Sequence, residues 1–116
     1  MAWTIQFCDA FEAEFDGLSV AVQDKAYAAL GVLQQFGPTL SRPHVDTLEG
    51  SVYANMKELR FSVGNEVWRI VFAFDPDRKA ILLAAGDKAG RNEGRFYRRL
   101  IATADRRFSE HLKGLT

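Results

Sequence analysis

The dipeptide Gly64-Asn65 constrains this chain more than any other feature. It separates two segments that read as strands, Lys57–Ser62 and Glu66–Asp75. Glycine next to asparagine suits a two-residue hairpin turn, whose central positions call for positive φ. A two-residue turn fixes the register, so Val63 faces Glu66, Phe61 faces Trp68 and Arg60 faces Arg69. Side chains on a strand alternate between faces. Leu59, Phe61, Trp68, Ile70, Phe72 and Phe74 therefore share one face, the expected core. Glu58, Arg60 and Arg69 share the other. A third strand, Lys79–Gly86, follows Asp75-Pro76-Asp77-Arg78, which suits a type I turn with proline at its second position. Three consecutive strands with short turns make an antiparallel meander.

The flanking segments supply the other elements. Trp3–Cys8 alternates Trp3, Ile5 and Phe7 with polar residues and reads as a first strand. Asp9 is the expected N-cap of a short helix, with Glu12 completing a capping box and Phe11, Phe15 and Leu18 at helical spacing. Ser19 is placed to cap a second helix, whose stripe Val22, Ala26, Ala29, Leu30 and Leu33 stops at Gly37-Pro38. The two form a helical hairpin or one bent helix. Residues 38–56, with Pro38, Pro43 and Gly50, read as loop. Phe96, Leu100, Ala104, Phe108 and Leu112 mark a last helix over residues 92–112. The expected fold is α+β, in the order β-α-(α)-β-β-β-α. A small antiparallel sheet is packed on one face by an N-terminal helical hairpin and a C-terminal helix. No repeat or composition break divides the chain, so a single domain spanning 1–116 is expected.

Composition excludes several classes. The longest apolar run, Ala80–Ala85, is far shorter than the roughly 20 residues of a membrane helix. No Lys or Arg precedes Lys25, so no secretory leader is expected. A lone cysteine, Cys8, rules out an internal disulfide and a multi-cysteine metal site, and points to a reducing, cytoplasmic setting. Neither histidine, His44 nor His111, has a partner at metal-ligand spacing, so neither metal nor cofactor is expected. The net charge of zero conceals a split. Residues 1–50 carry two basic and seven acidic groups, and residues 51–116 carry thirteen and eight.

The basic groups are patterned. Like charges directly opposite on neighbouring strands repel. Arg60 facing Arg69 therefore implies either an anion between them or neutralisation by Glu58 or Glu66, and the anion has the better claim. In the last helix Arg91, Arg95, Arg98, Arg99 and Arg106 form one stripe opposite the apolar one. Arginine's fixed fork of donors suits phosphate, although a solvated helix face explains such a stripe equally well. Tyr97 falls on the apolar side, where core packing is the default unless its hydroxyl, near the helix start, reaches the sheet. The segment Gly86-Asp87-Lys88-Ala89-Gly90-Arg91 has two glycines that allow close backbone approach to a ligand, and Lys88 and Arg91 extend the cationic surface.

An ordered set of motifs then resembles one family. Leu40-Ser41-Arg42-Pro43, Leu48-Glu49-Gly50, Met56-Lys57-Glu58-Leu59-Arg60, Trp68-Arg69-Ile70-Val71-Phe72 and Gly86-Asp87-Lys88 resemble the RelE/ParE superfamily of bacterial toxins. The nearest branch is the HigB-like, phage-derived Gp49-like group. The resemblance implies a toxin of a type II toxin–antitoxin system. Its partners would be a cognate antitoxin, often a helix-turn-helix protein, together with the ribosome and messenger RNA, without a membrane. RelE-type members cleave mRNA in the ribosomal A site without metal, whereas ParE-type members poison DNA gyrase. A toxin-like binding module without activity is a third possibility. Carried over by position, Lys57, Glu58, Arg60, Arg69, Lys88 and Tyr97 are the functional candidates. For attack of a 2′-hydroxyl on its neighbouring phosphate, Arg60 and Arg69 suit stabilisation of the phosphorane. Glu58, Lys57 or Lys88 is then the base, and Tyr97 or Lys88 the proton source. Lys57, Arg91, Arg95, Arg98 and Arg99 are candidate RNA contacts.

Overall fold

The computed structural model describes residues 2–87 and 92–115. Strand β1 (Thr4–Phe7) leads into helices α1 (Asp9–Asp16) and α2 (Val20–Phe36) and a short 3-10 turn, Gly37–Thr39. Strands β2 (Val45–Thr47), β3 (Lys57–Val63), β4 (Glu66–Phe74) and β5 (Lys79–Asp87) follow, and helix α3 (Glu93–Lys113) closes the fold. The five strands form one sheet in the order β1-β5-β4-β3-β2. β1 lies parallel to β5, and every other neighbouring pair is antiparallel.

The hairpin has the register that its turn dictates. Val63 pairs with Glu66, Phe61 with Trp68 and Arg60 with Arg69, and Gly64 takes φ 58°. The β4–β5 turn closes with the Arg78 amide donating to the Asp75 carbonyl at 2.9 Å. Asp75 Oδ1 then accepts from the Lys79 amide at 2.9 Å. The helical hairpin is two separate helices, and Ser19 Oγ caps the second by accepting from the Val22 amide.

Four local expectations are corrected. Helix α1 begins one residue early, with Cys8 at the N-cap and no side-chain cap. Asp9 and Glu12 instead sit in its first turn, where carboxylates favour the positive end of the helix dipole. The stretch read as loop contains β2, three residues paired with Lys57–Leu59, too short to display alternation. The sheet is mixed, because β1 enters parallel to β5. Its helices cover both faces rather than one.

The fourth correction has a clear origin in β4 and β5. These strands are apolar on both sides, through Ile70-Val71-Phe72-Ala73 and Ala80–Ala84. Strands buried on two faces carry continuous rather than alternating hydrophobicity. Leu59, Ile70, Phe72 and Leu82 pack with Phe11, Phe15, Ala26, Leu30 and Leu33 of α1 and α2. Val71, Ala73, Ile81 and Leu83 pack with Phe96, Leu100, Ala104 and Phe108 of α3 on the opposite side. A bulge in β5 allows this: Val71 pairs with Ala84 and Phe72 with Leu82, which leaves Leu83 out of the ladder. Arg107 donates to the Leu83 carbonyl at 2.8 Å and forks onto Glu14 of α1 at 2.7 and 2.9 Å. No described helix is long and apolar enough to cross a membrane.

One further adjustment positions the site. A Cβ on Gly86 would stand 2.8 Å from the Phe96 ring. This glycine therefore serves the close seating of α3 on the end of β5, rather than approach of a ligand. Tyr97, one residue on, is thereby turned toward the β3–β4 hairpin.

Candidate active site

Glu58 and Arg60 on β3, Arg69 on β4 and Tyr97 on α3 converge on the α3 side of the sheet. Glu58 is 1% exposed and lies between the two arginines. Its Oε1 accepts from Arg60 Nε at 2.7 Å and lies 2.6 Å from Arg60 Nη2. Its Oε2 is 3.8 Å from Arg69 Nε, too far for a hydrogen bond, and has no hydrogen-bond partner among the described residues. Arg69 is itself buried at 5% exposure. It donates from Nε to the Tyr97 hydroxyl at 2.6 Å and from Nη1 to the Val67 carbonyl at 2.8 Å. The Tyr97 hydroxyl in turn donates to Glu58 Oε1 at 3.3 Å.

The network explains how two arginines tolerate direct opposition. Glu58 supplies a negative charge to both, so neutralisation by Glu58 is realised in this structure. Arg60 keeps its outer side toward solvent, 40% exposed, and also lies 3.8 Å from Asp46 of β2. Asp46 is clamped by Arg42 at 2.9 Å, and that bond holds its carboxyl below the usual range. The bond to Glu58 raises the Arg60 guanidinium above its ordinary value. Burial, then the bond to Glu58, pushes the Tyr97 hydroxyl up, with Arg69 opposing. Tyr97 is therefore protonated at neutral pH.

The candidates separate into four groups. Glu58, Arg60, Arg69 and Tyr97 come together, Tyr97 because it stands in the first turns of α3. Strand alternation puts Lys57 on the opposite face, with Leu59. Lys88 and Arg91 lie outside the described residues. Arg95, Arg98, Arg99 and Arg106 are exposed along α3. Arg95 and Arg99 rim a groove of about 710 Å³ floored by Ala84, Ala85, Gly86, Phe96 and Leu100. Arg98 borders a different cavity, of about 390 Å³, with Gly50, Tyr97 and Ile101. The stripe thus spans two flanks of the helix.

Three groups at or near the site had no legible role in the sequence. Asp46 tethers Arg60 from a strand too short to recognise. The Val67 carbonyl holds Arg69, and a backbone acceptor leaves no mark on composition. Arg107 falls outside the arginine stripe, and that exception is the signal for its inward, structural use. Arg69 is buried and hydrogen-bonded, so its removal would not simply relieve repulsion from Arg60. Among the described residues no cluster of three His, Cys, Asp or Glu side chains is arranged to hold a metal ion. His111 pairs with Asp75 at 2.8 Å, some ~21 Å along α3 from Tyr97.

A five-stranded sheet between a helical hairpin and a long helix is a RelE-type fold. Isolated RelE of E. coli superposes with a TM-score of 0.61 at 16% identity, covering 99% of this chain and all of that one. RelE in the intact E. coli RelBE toxin–antitoxin complex gives 0.56 at 13%, over 79% of this chain and 99% of that one. The chain belongs to the phage-derived Gp49-like protein family, which matches residues 13–109. Among curated relatives, the candidate toxin HigB2 of Mycobacterium tuberculosis is 46% identical over 113 residues, 97% of this chain. The chain spans 55% of the length of HigB2. The candidate toxin HigB3 of the same organism is 53% identical over 79 residues, 68% of this chain and 67% of its own. The resemblance seen in the motifs is borne out.

Proposed function

We propose that this protein is the toxin of a type II toxin–antitoxin pair and that it cleaves messenger RNA on the ribosome in the cytoplasm. The observation that carries this reading is the meeting of Arg60, Arg69, Glu58 and Tyr97 on one side of a RelE-type sheet. The HigB relatives and the RelE neighbour with its antitoxin support it.

In this mechanism the 2′-hydroxyl of the substrate attacks the adjacent phosphorus, and the bond to the 5′-oxygen breaks. The products are a 2′,3′-cyclic phosphate and a free 5′-hydroxyl. Arg60 and Arg69 balance the added charge of the phosphorane, the kind of preorganised electrostatic aid worth about 100-fold or more per donor. Glu58 Oε2, a carboxylate oxygen without a donor, takes the proton from the 2′-hydroxyl. Tyr97 gives its proton to the departing oxygen. Because Glu58 occupies the space between the guanidiniums, the phosphate must draw Arg60, the exposed member, away from it. Arg95, Arg98 and Arg99 hold flanking phosphates, and the antitoxin covers the same cationic surface.

The test joins growth and cleavage. Expression of the chain alone should arrest growth, and co-expression of the antitoxin should restore it. Primer extension on translated message should reveal cuts that need ribosomes and survive EDTA, and Arg69→Lys should reduce them, because an ammonium lacks the fork. Arrest with intact message and blocked supercoiling would instead make this a gyrase poison.

A further inference from the structure

Two cavities adjoin at the edge of the proposed cleavage site and share three residues. One, of about 240 Å³, is lined by Glu58 and Arg60 together with Leu48, Glu49, Tyr97 and Ile101. The other, of about 390 Å³, continues past Glu49, Tyr97 and Ile101 toward Arg98 and Asp105. Ile101 is 8% exposed and gives the cleft an apolar floor, with the Tyr97 ring beside it. The first cavity is smaller than a typical site for a drug-sized ligand, at ~300 Å³ or more. It has room for one flat ring system.

Its polar groups are mostly acceptors. Asp46 is engaged by Arg42 and Arg60. Glu58 Oε2 is buried and has no hydrogen-bond partner among the described residues. Glu49 is exposed at the junction of the two cavities and has no hydrogen-bond or ion-pair partner among the described residues. A second phosphate would be repelled from such a lining. A nucleobase with hydrogen-bond donors would not.

Resting on the nuclease reading, we infer that this cleft is a nucleobase subsite beside the cleavage site, and that Glu49 makes it selective for guanine. The selectivity follows from the donor and acceptor pattern of the bases. A carboxylate offers two acceptors side by side. Guanine alone presents two adjacent donors, N1–H and the N2 amino group, on its Watson–Crick edge. Adenine and cytosine place a ring-nitrogen acceptor beside their amino group, and uracil flanks its single N–H with two carbonyls. Each of these sets an acceptor against the carboxylate. A splayed base stacked on an apolar or aromatic surface and read along this edge is the usual mode of single-strand RNA recognition. Arg60 lines the same cavity, so a base in the cleft and a phosphate at Arg60 belong to one nucleotide or its direct neighbour.

The experiment compares guanosine, adenosine, cytidine and uridine 3′-monophosphates in NMR titrations of the full chain and of Glu49→Gln. The phosphate is common to all four, so its contribution cancels in the comparison. The guanosine nucleotide should bind on the order of 10-fold tighter than the others, the discrimination of one bidentate pair, with shifts at Glu49 and Ile101. Glu49→Gln should erase the preference, because an amide matches only one of the two donors. Equal binding of all four nucleotides, or a preference that survives Glu49→Gln, overturns the subsite. Mapped cuts in translated message should carry guanosine next to the break in wild type and lose it in the variant. Guanine-selective binding without any cleavage would overturn the nuclease reading and leave the subsite standing.

Discussion

Arg69 carries the most consequence of any single side chain. It is nearly closed to solvent and bonded to Tyr97 and to the Val67 carbonyl. Arg69→Ala should cost about 1–3 kcal/mol in urea unfolding, the usual penalty for groups left without partners, and more than 100-fold in cleavage. Arg60→Ala should also cost stability, because it strips the buried Glu58 carboxylate of its closest ion-pair partner although Arg60 itself is 40% exposed, and it should lose comparable activity. A second residue-level effect concerns acid. Burial alone would raise the Asp75 carboxyl, but hydrogen bonds from His111 and from the Lys79 amide outweigh it and set the group below its ordinary 3.8. A carboxyl depressed in the folded state stabilises at pH values above its unfolded pKa, and that stability is lost as the pH falls through the folded pKa. The chain should therefore lose stability below about pH 4, and Asp75→Asn should flatten that acid limb in thermal melts across pH.

At the scale of elements, α3 and the β3–β4 hairpin work as a unit, and Gly86 sets their separation. Gly86→Ala would drive a Cβ to 2.8 Å from the Phe96 ring. It should cost about 1–3 kcal/mol, as overpacking does, and pull Tyr97 from Arg69. Pairing it with Phe96→Leu should restore part of both, measured by unfolding and by cleavage. Phe72→Ala should cost roughly 3–5 kcal/mol, since its ring is fully buried between α2 and the sheet. Trp68 is only half-buried, near the hairpin tip, and Trp68→Ala should cost less.

These elements also mark how far the sequence could be read. Gly64-Asn65 alone implied the register that sets Arg60 against Arg69, because a two-residue turn leaves no freedom. Turn chemistry placed the starts of β3, β4 and β5, and each strand's far end came within one residue. The second helical face was not legible. Ile70–Ala73 reads as a strand whether one or both of its faces are covered, and α3 had no sequence mark to say which side it takes. Lys57 was placed with Glu58 by motif, and strand alternation separates them. The Glu58 bridge needed three dimensions, because its members come from β3, β4 and α3, while the Val67 carbonyl is a backbone acceptor that composition does not mark.

Across the whole molecule the sheet separates charge as well as helices. The acidic half of the chain supplies α1 and α2, and the arginine-rich helix lies on the far side. A chain of zero net charge thus carries one cationic layer. Contacts to single strands release about 0.7 of a counterion per neutralised phosphate. If Arg95, Arg98, Arg99 and Arg106 each meet one, the logarithm of RNA affinity should fall against the logarithm of salt with a slope of about −3. Alanine at Arg98 and Arg106 should make that slope shallower by about 1.4, with the melting temperature unchanged, since both side chains are exposed.

β1 pairs with β5 only from Lys79 to Leu82. Beyond it, Ala84 to Gly86 have no strand on that side among the described residues. An uncovered strand edge with small apolar side chains is a template for self-association, and proteins commonly guard such edges with charge. Here the guard comes from the neighbouring helix: Arg95 and Arg99 stand over the open edge, beside Glu14. We expect those two arginines to oppose self-association along that edge. Exchanging both for leucine should bring light scattering and early precipitation on concentration, at a melting temperature close to that of the parent.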